Sequence, residues 1–72
     1  MPRKLRELRA ELRRAGFVLA NTEGSHQDWR HPSGQRVILA GRDGADAPRY
    51  QERDVRAALA AVRAVERDAR KD

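Results

Sequence analysis

The chain has 72 residues, enough for one domain with a thin core, because a domain of this size buries only about 60% of the surface that its unfolded chain exposes. It has no cysteine, which excludes disulfides and thiolate-bound zinc as supplements to that core and fits a cytoplasmic setting. Sixteen basic residues against eleven acidic ones give a formal net charge of +5, and fourteen of the sixteen are arginine, whose rigid fork of donors matches phosphate. RNA, DNA or an acidic protein suits such a chain; alternatively the arginines only solubilise two helices. The longest apolar run, 57–62, is far short of the ~20 residues that span a bilayer, so neither a membrane segment nor a signal peptide is expected.

Residues 2–15 predict an amphipathic helix. Leu5, Leu8, Leu12 and Ala15 recur at spacings of three and four, one face of a 3.6-residue period. Pro2 suits a first helical turn, Arg13 and Arg14 complement the negative end of the dipole, and Gly16 followed by Phe17 reads as a left-handed terminator with an apolar residue folding back. A strand is expected over 17–22, with Phe17 and Leu19 on one face and Val18 and Ala20 on the other. Glu23-Gly24-Ser25 is a turn, and 26–31 is a second, polar strand.

Pro32-Ser33-Gly34 fits a type I turn closed by a left-handed glycine in a G1 bulge. That loop sets a register in which His31 faces Gln35, Arg30 faces Arg36, Trp29 faces Val37, Asp28 faces Ile38, Gln27 faces Leu39 and His26 faces Ala40. Trp29, Val37 and Leu39 then share the core face, and His26, Asp28, Arg30, Arg36 and Ile38 share the other. Residues 41–48 form a loop. A second helix is expected from 49–52 to about 68, buried along Val55, Leu59, Val62, Val65 and Ala69 and widened by Ala58 and Ala61. The last residues, 69–72, are expected to fray. No internal repeat, low-complexity tract or linker is expected. The order is helix, three antiparallel strands, helix: an α+β domain with both helices on one face of the sheet and the other face left to solvent or a partner.

The chemistry falls on that open face. His26 is one of two histidines and is the side chain best suited to exchange protons near neutral pH. Arg30 and Arg36 sit opposite each other, an arrangement that destabilises a sheet unless an anion such as a phosphodiester is held between them or Asp28 neutralises the pair. Read alone, His26 is more readily a surface histidine among ordinary surface charges, since a single histidine without a partner is a weak motif. His31 is explained by the hairpin and Trp29 by core packing. Ser25 beside His26 is no serine triad, since adjacent strand residues point to opposite faces; Ser25 and the Gly24 backbone shape the turn or donate to a phosphate. There is no phosphate-binding loop of the Walker or Rossmann kind, and two histidines five residues apart make a poor metal site. Neither a metal nor a cofactor is expected.

Gly16-Phe17-Val18-Leu19, Gly24-Ser25-His26, an aromatic at position 29, His31-Pro32-Ser33-Gly34 and Arg36-Val37 stand in an order that resembles the HicA family of toxins over roughly residues 3–65. The stretch from Gly41 to Ala47, followed by Tyr50-Gln51-Glu52-Arg53, looks like one subgroup of it. The resemblance implies a double-stranded-RNA-binding-domain-like fold of α-β-β-β-α order. It implies a metal-independent ribonuclease that cleaves mRNA, and a HicB-type antitoxin that covers the active face. The histidine of Gly-Ser-His, here His26, would be the catalytic one. The sequence departs from the common pattern at Ala40-Gly41-Arg42, where many members carry a proline and a histidine, and in its longer second helix. Two readings of the open face follow: an endoribonuclease that uses His26 as general acid–base with Gly24, Ser25, Arg30 and Arg36 on the RNA, or a non-catalytic module that binds RNA or a protein with the same residues.

Overall fold

A computed structural model describes residues 2–70. Its elements are α1 (Leu5–Arg14), β1 (Val18–Glu23), β2 (His26–Arg30), β3 (Arg36–Ala40) and α2 (Arg49–Ala69). The strands form one antiparallel sheet in the order β1-β2-β3. Leu5, Leu8 and Leu12 of α1 and Val55, Ala58 and Val62 of α2 bury against Phe17, Trp29, Val37 and Leu39. The domain is thus α+β with an open three-stranded sheet, as the chain order predicts. Lys71 and Asp72, expected to fray, lie outside the described residues; α2 itself continues to Ala69.

Two backbone devices set the geometry. Gly16 (φ +99°) ends α1: its N–H donates to the Arg13 carbonyl at 3.0 Å and the Phe17 N–H to the Leu12 carbonyl at 2.9 Å. This is a Schellman cap, which returns the buried Phe17 onto the helix it terminates. Gly34 (φ +105°) closes the second hairpin, with its N–H on the His31 carbonyl and the His31 N–H on the Gln35 carbonyl, both at 2.9 Å. The β2–β3 register follows as predicted, from Arg30 opposite Arg36 to His26 opposite Ala40.

Three expectations are corrected. Helix α1 begins at Leu5, so Pro2 stands outside it. Its first free amides are taken by the 41–48 loop, Leu5 N–H by the Ala45 carbonyl (3.0 Å) and Arg6 N–H by the Asp43 carbonyl (3.1 Å), and tertiary pairing replaces a side-chain cap. Strand β1 starts at Val18, and a bulge between Leu19 and Asn21 reverses its alternation. Leu19 lies opposite Trp29, yet it is 41% exposed at the sheet's outer edge. On α2, Val65 and Ala69 are exposed, because the helix outruns the sheet and α1 beneath it.

Two buried polar side chains bind the helices to the end of β3. Arg9, 5% exposed, donates through Nε to Gln27 Oε1 (2.6 Å), through Nη2 to the Gly41 carbonyl (2.6 Å) and through Nη1 to the Asp43 carboxylate. Gln51 pairs its amide with Ala40: Nε2 donates to the carbonyl at 3.1 Å, and the Ala40 N–H reaches Oε1 at 3.4 Å. Gly41 (φ +120°) has no room for a side chain, since a Cβ there would lie 2.5 Å from Leu5 Cδ1.

Arg9→Met keeps the aliphatic packing and removes three hydrogen bonds, leaving the Gly41 carbonyl without its buried donor. At roughly 1–3 kcal/mol for each buried polar group left unsatisfied, the loss is a large share of the ~4–10 kcal/mol typical of a domain this size. The melting temperature is expected to fall by more than about 10 °C in a thermal scan, while the exposed Arg6→Met leaves it within about 2 °C, as surface changes do.

Candidate functional site

The face of the sheet turned away from both helices carries Val18, Asn21 and Glu23 from β1, His26, Asp28 and Arg30 from β2, and Arg36, Ile38 and Ala40 from β3, as the cross-strand pairs dictate. The sequence-predicted residues His26, Arg30 and Arg36 therefore share one side of the sheet. His26 is the first residue of β2, directly after the Gly24-Ser25 turn. Gly24 has φ +60° and Ser25 a negative φ, the signs of a type II′ hairpin turn. A Cβ on Gly24 would meet nothing within 4 Å, so the turn stands clear of the fold and its backbone is open to a ligand.

The two histidines differ in their surroundings. His31 is half-buried, tilted against Phe17 with ring centroids 5.1 Å apart. The Ser33 N–H donates to its Nδ1 at 3.0 Å, and its Nε2 donates to the Ala15 carbonyl at 3.1 Å. Both nitrogens are committed, and the ring is a structural tie between the hairpin and the end of α1. The His26 ring is exposed, with no hydrogen-bond partner among the described residues. Its cross-strand neighbours are Ala40 and Glu23. The sequence places Glu23 in the turn; it is instead the last residue of β1, paired with His26 across a two-residue Gly24-Ser25 turn.

Asp28 settles the arginine pair. Arg30 donates to its Oδ2 through Nε (3.1 Å) and Nη2 (2.9 Å), and Arg36 donates to its Oδ1 through Nε (3.0 Å). These charge-assisted bonds to Arg30 first, then Arg36, hold the Asp28 carboxyl below the usual carboxylate range, against a smaller opposing effect of desolvation. The bond to Asp28 likewise raises Arg30. The repulsion between facing guanidinium groups is thus met by a carboxylate of the same face, itself 8% exposed. Arg30 Nη1 and both terminal nitrogens of Arg36 keep free donors among the described residues. The arginine backbones lie four residues from His26 along the strands, about 13 Å, and the turn of their heads toward Asp28 brings them back by roughly 7 Å. Ile38, paired with Asp28, is 41% exposed. Trp29 is buried in the core with the Arg13 guanidinium 5.1 Å from its ring centroid, so it offers no base-stacking surface.

No helix among the described residues is long and apolar enough to cross a membrane. The family model described as "HicA toxin of bacterial toxin-antitoxin" matches residues 5–65, and the chain belongs to that family. It is a toxin of a bacterial toxin–antitoxin system, and an antitoxin is its implied partner. No match is found among curated proteins.

Because the native Asp28 carboxyl titrates below its unfolded value, its contribution to stability is complete above about pH 4 and is lost as pH falls through the lowered native value. Asp28→Asn removes it at every pH and leaves Arg30 facing Arg36. The variant is expected to melt several degrees lower at low salt and to recover most of that loss in millimolar phosphate, while the wild type responds little; differential scanning fluorimetry across a phosphate titration measures both.

Proposed function

We propose that this toxin is a metal-independent endoribonuclease that cleaves mRNA on the open face of its sheet, with His26 as the general acid–base. The observation that carries the reading is the contrast between the histidines. Both nitrogens of His31 are bonded within the fold, whereas His26 presents an unengaged imidazole on a face with two partly free arginines. The neutral imidazole takes the proton of a ribose 2′-hydroxyl. The 2′-oxygen attacks the adjacent phosphorus, the bond to the 5′-oxygen breaks, and the imidazolium returns its proton to that oxygen. The products are a 2′,3′-cyclic phosphate and a 5′-hydroxyl. One positioned proton-transfer group contributes roughly 10²–10⁴ in rate, so a slow nuclease is expected.

Arg30 and Arg36 offset charge on the phosphate oxygens with their free donors and, lying further along the strands than His26, also hold the RNA in register. Gly24 and Ser25 supply backbone N–H and hydroxyl donors at the turn, next to the reacting phosphate. A HicB-type antitoxin would cover the same face. Ile38 supports this, as a large apolar side chain exposed among charges and suited to the desolvated centre of a protein interface.

His26→Ala is expected to abolish growth arrest and RNA loss on induced expression while the purified variant keeps the wild-type circular dichroism and melting temperature. Arrest at the wild-type level in that variant contradicts the mechanism. Ile38→Asp is expected to weaken the antitoxin complex at least tenfold by calorimetry, without loss of fold; an unchanged affinity removes Ile38 from that interface.

A further inference from the structure

Helix α2 carries a second basic surface, away from His26. Arg49, Arg53, Arg56, Arg63, Arg67 and Arg70 are all exposed, and none forms an ion pair among the described residues. Their spacings of four, three, seven, four and three place them within an arc of about 100° on the helix, along ~31 Å of its length. The arc is centred about 140° from the stripe of Val55, Ala58 and Val62 that buries against the core. It therefore faces outward on the helical side of the domain. The spacing is a repeat: Glu52-Arg53-Asp54-Val55-Arg56 returns as Glu66-Arg67-Asp68-Ala69-Arg70, and Arg49 as Arg63, fourteen residues further on. The recurrence is a short motif within one helix, not a repeated structural unit. Two heptads bring the second triad back to the face of the first, with ~21 Å between them.

We infer that this stripe docks the phosphate backbone of double-stranded RNA. Charge selects a polyanion, and three observations select which one. Between the arginines the arc holds chiefly Ala60 and Ala64, with Glu52 and Leu59 at one margin; Leu59 is half-buried against the core, so the arc has no exposed large apolar side chain to form the centre of a protein interface. It holds no aromatic side chain, the platform on which single-stranded binders stack bases. Its two triads are fixed on one straight rod, which suits the ordered phosphate rows of a duplex. The choice of RNA over DNA rests on the nuclease reading above; the anion-binding stripe does not.

The test uses the full chain in the His26→Ala background, so that the RNA stays intact, and a duplex RNA of roughly 16 base pairs, the length one double-stranded-RNA-binding domain spans. Fluorescence anisotropy against salt is expected to give a slope near −5 for six phosphate contacts. Replacing Arg53, Arg56, Arg63 and Arg67 together with glutamine should flatten the slope by about 3–4 and weaken binding at least tenfold. The same four changed to lysine should keep the slope within about 1, and circular dichroism should be unchanged in both. Equal affinity and slope in the glutamine variant overturn the inference. So does displacement of the duplex by polyglutamate at equal charge, which assigns the stripe to an acidic protein, and so does tighter binding of single-stranded RNA or of a DNA duplex. Cleavage is read separately with His26 intact: a wild type that binds through the stripe and cuts nothing removes the nuclease reading and leaves this one standing.

Discussion

The buried guanidinium of Arg9 is the contact on which the arrangement of this domain turns. From α1 it reaches the Gln27 side chain of β2, the Gly41 carbonyl just past β3 and the Asp43 carboxylate in the following loop. Gln51 reinforces it from α2 by pairing with the Ala40 backbone. Both clamps act on the same end of the sheet, where Ala40 pairs with His26 and Gln27 follows His26 along β2. The apolar core, with Trp29, Phe17 and four leucines, holds the layers together without directional bonds that fix their positions along the strands. Two buried polar anchors with matched partners do, because each lost hydrogen bond would strand a buried group. The end of the sheet that presents the imidazole is thus tied to both helices.

On the open face, charge is arranged rather than merely abundant. Asp28 lies between two arginines that would otherwise repel, and their hydrogen bonds, Arg30 first, hold its carboxyl below the usual carboxylate range. It turns both heads toward the His26 end and leaves their remaining donors outward. The cost is a weaker anion site than two free guanidinium groups would make; the gain is a sheet that holds its geometry before any phosphate arrives. That preorganisation suits the proton-transfer role proposed for His26, since one such group gains little from a substrate that is loosely placed.

The parts of the fold legible in the sequence were those set by local chemistry. Gly16-Phe17 foretold the cap, and Pro32-Ser33-Gly34 set the β2–β3 register through to His26. Strand β1 was less legible: the bulge at Ala20 comes from pairing across strands, and no side chain there announces it. Arg9 falls four residues after Leu5 and three before Leu12, within the apolar stripe of α1, so its burial was readable while its partners, 18 to 34 residues away, were not. Gln51 stands likewise four before Val55. The arginine pair was visible from the hairpin alone, and the placement of Asp28 between them followed from the same parity, but only coordinates show which carboxylate oxygen each arginine takes. The repeat in α2 is short and lies within an otherwise ordinary amphipathic helix, so its arginines read first as solubilising charge.

The central claim, that a lone imidazole on this face breaks RNA by attack of the ribose itself, is tested most directly by the ends that the purified protein leaves on RNA in excess EDTA. Mass spectrometry of the fragments should find 2′,3′-cyclic phosphates, or the monophosphates they hydrolyse to, paired with 5′-hydroxyls. Fragments with 5′-phosphates and free 3′-hydroxyls, or RNA left whole by folded protein, would contradict it.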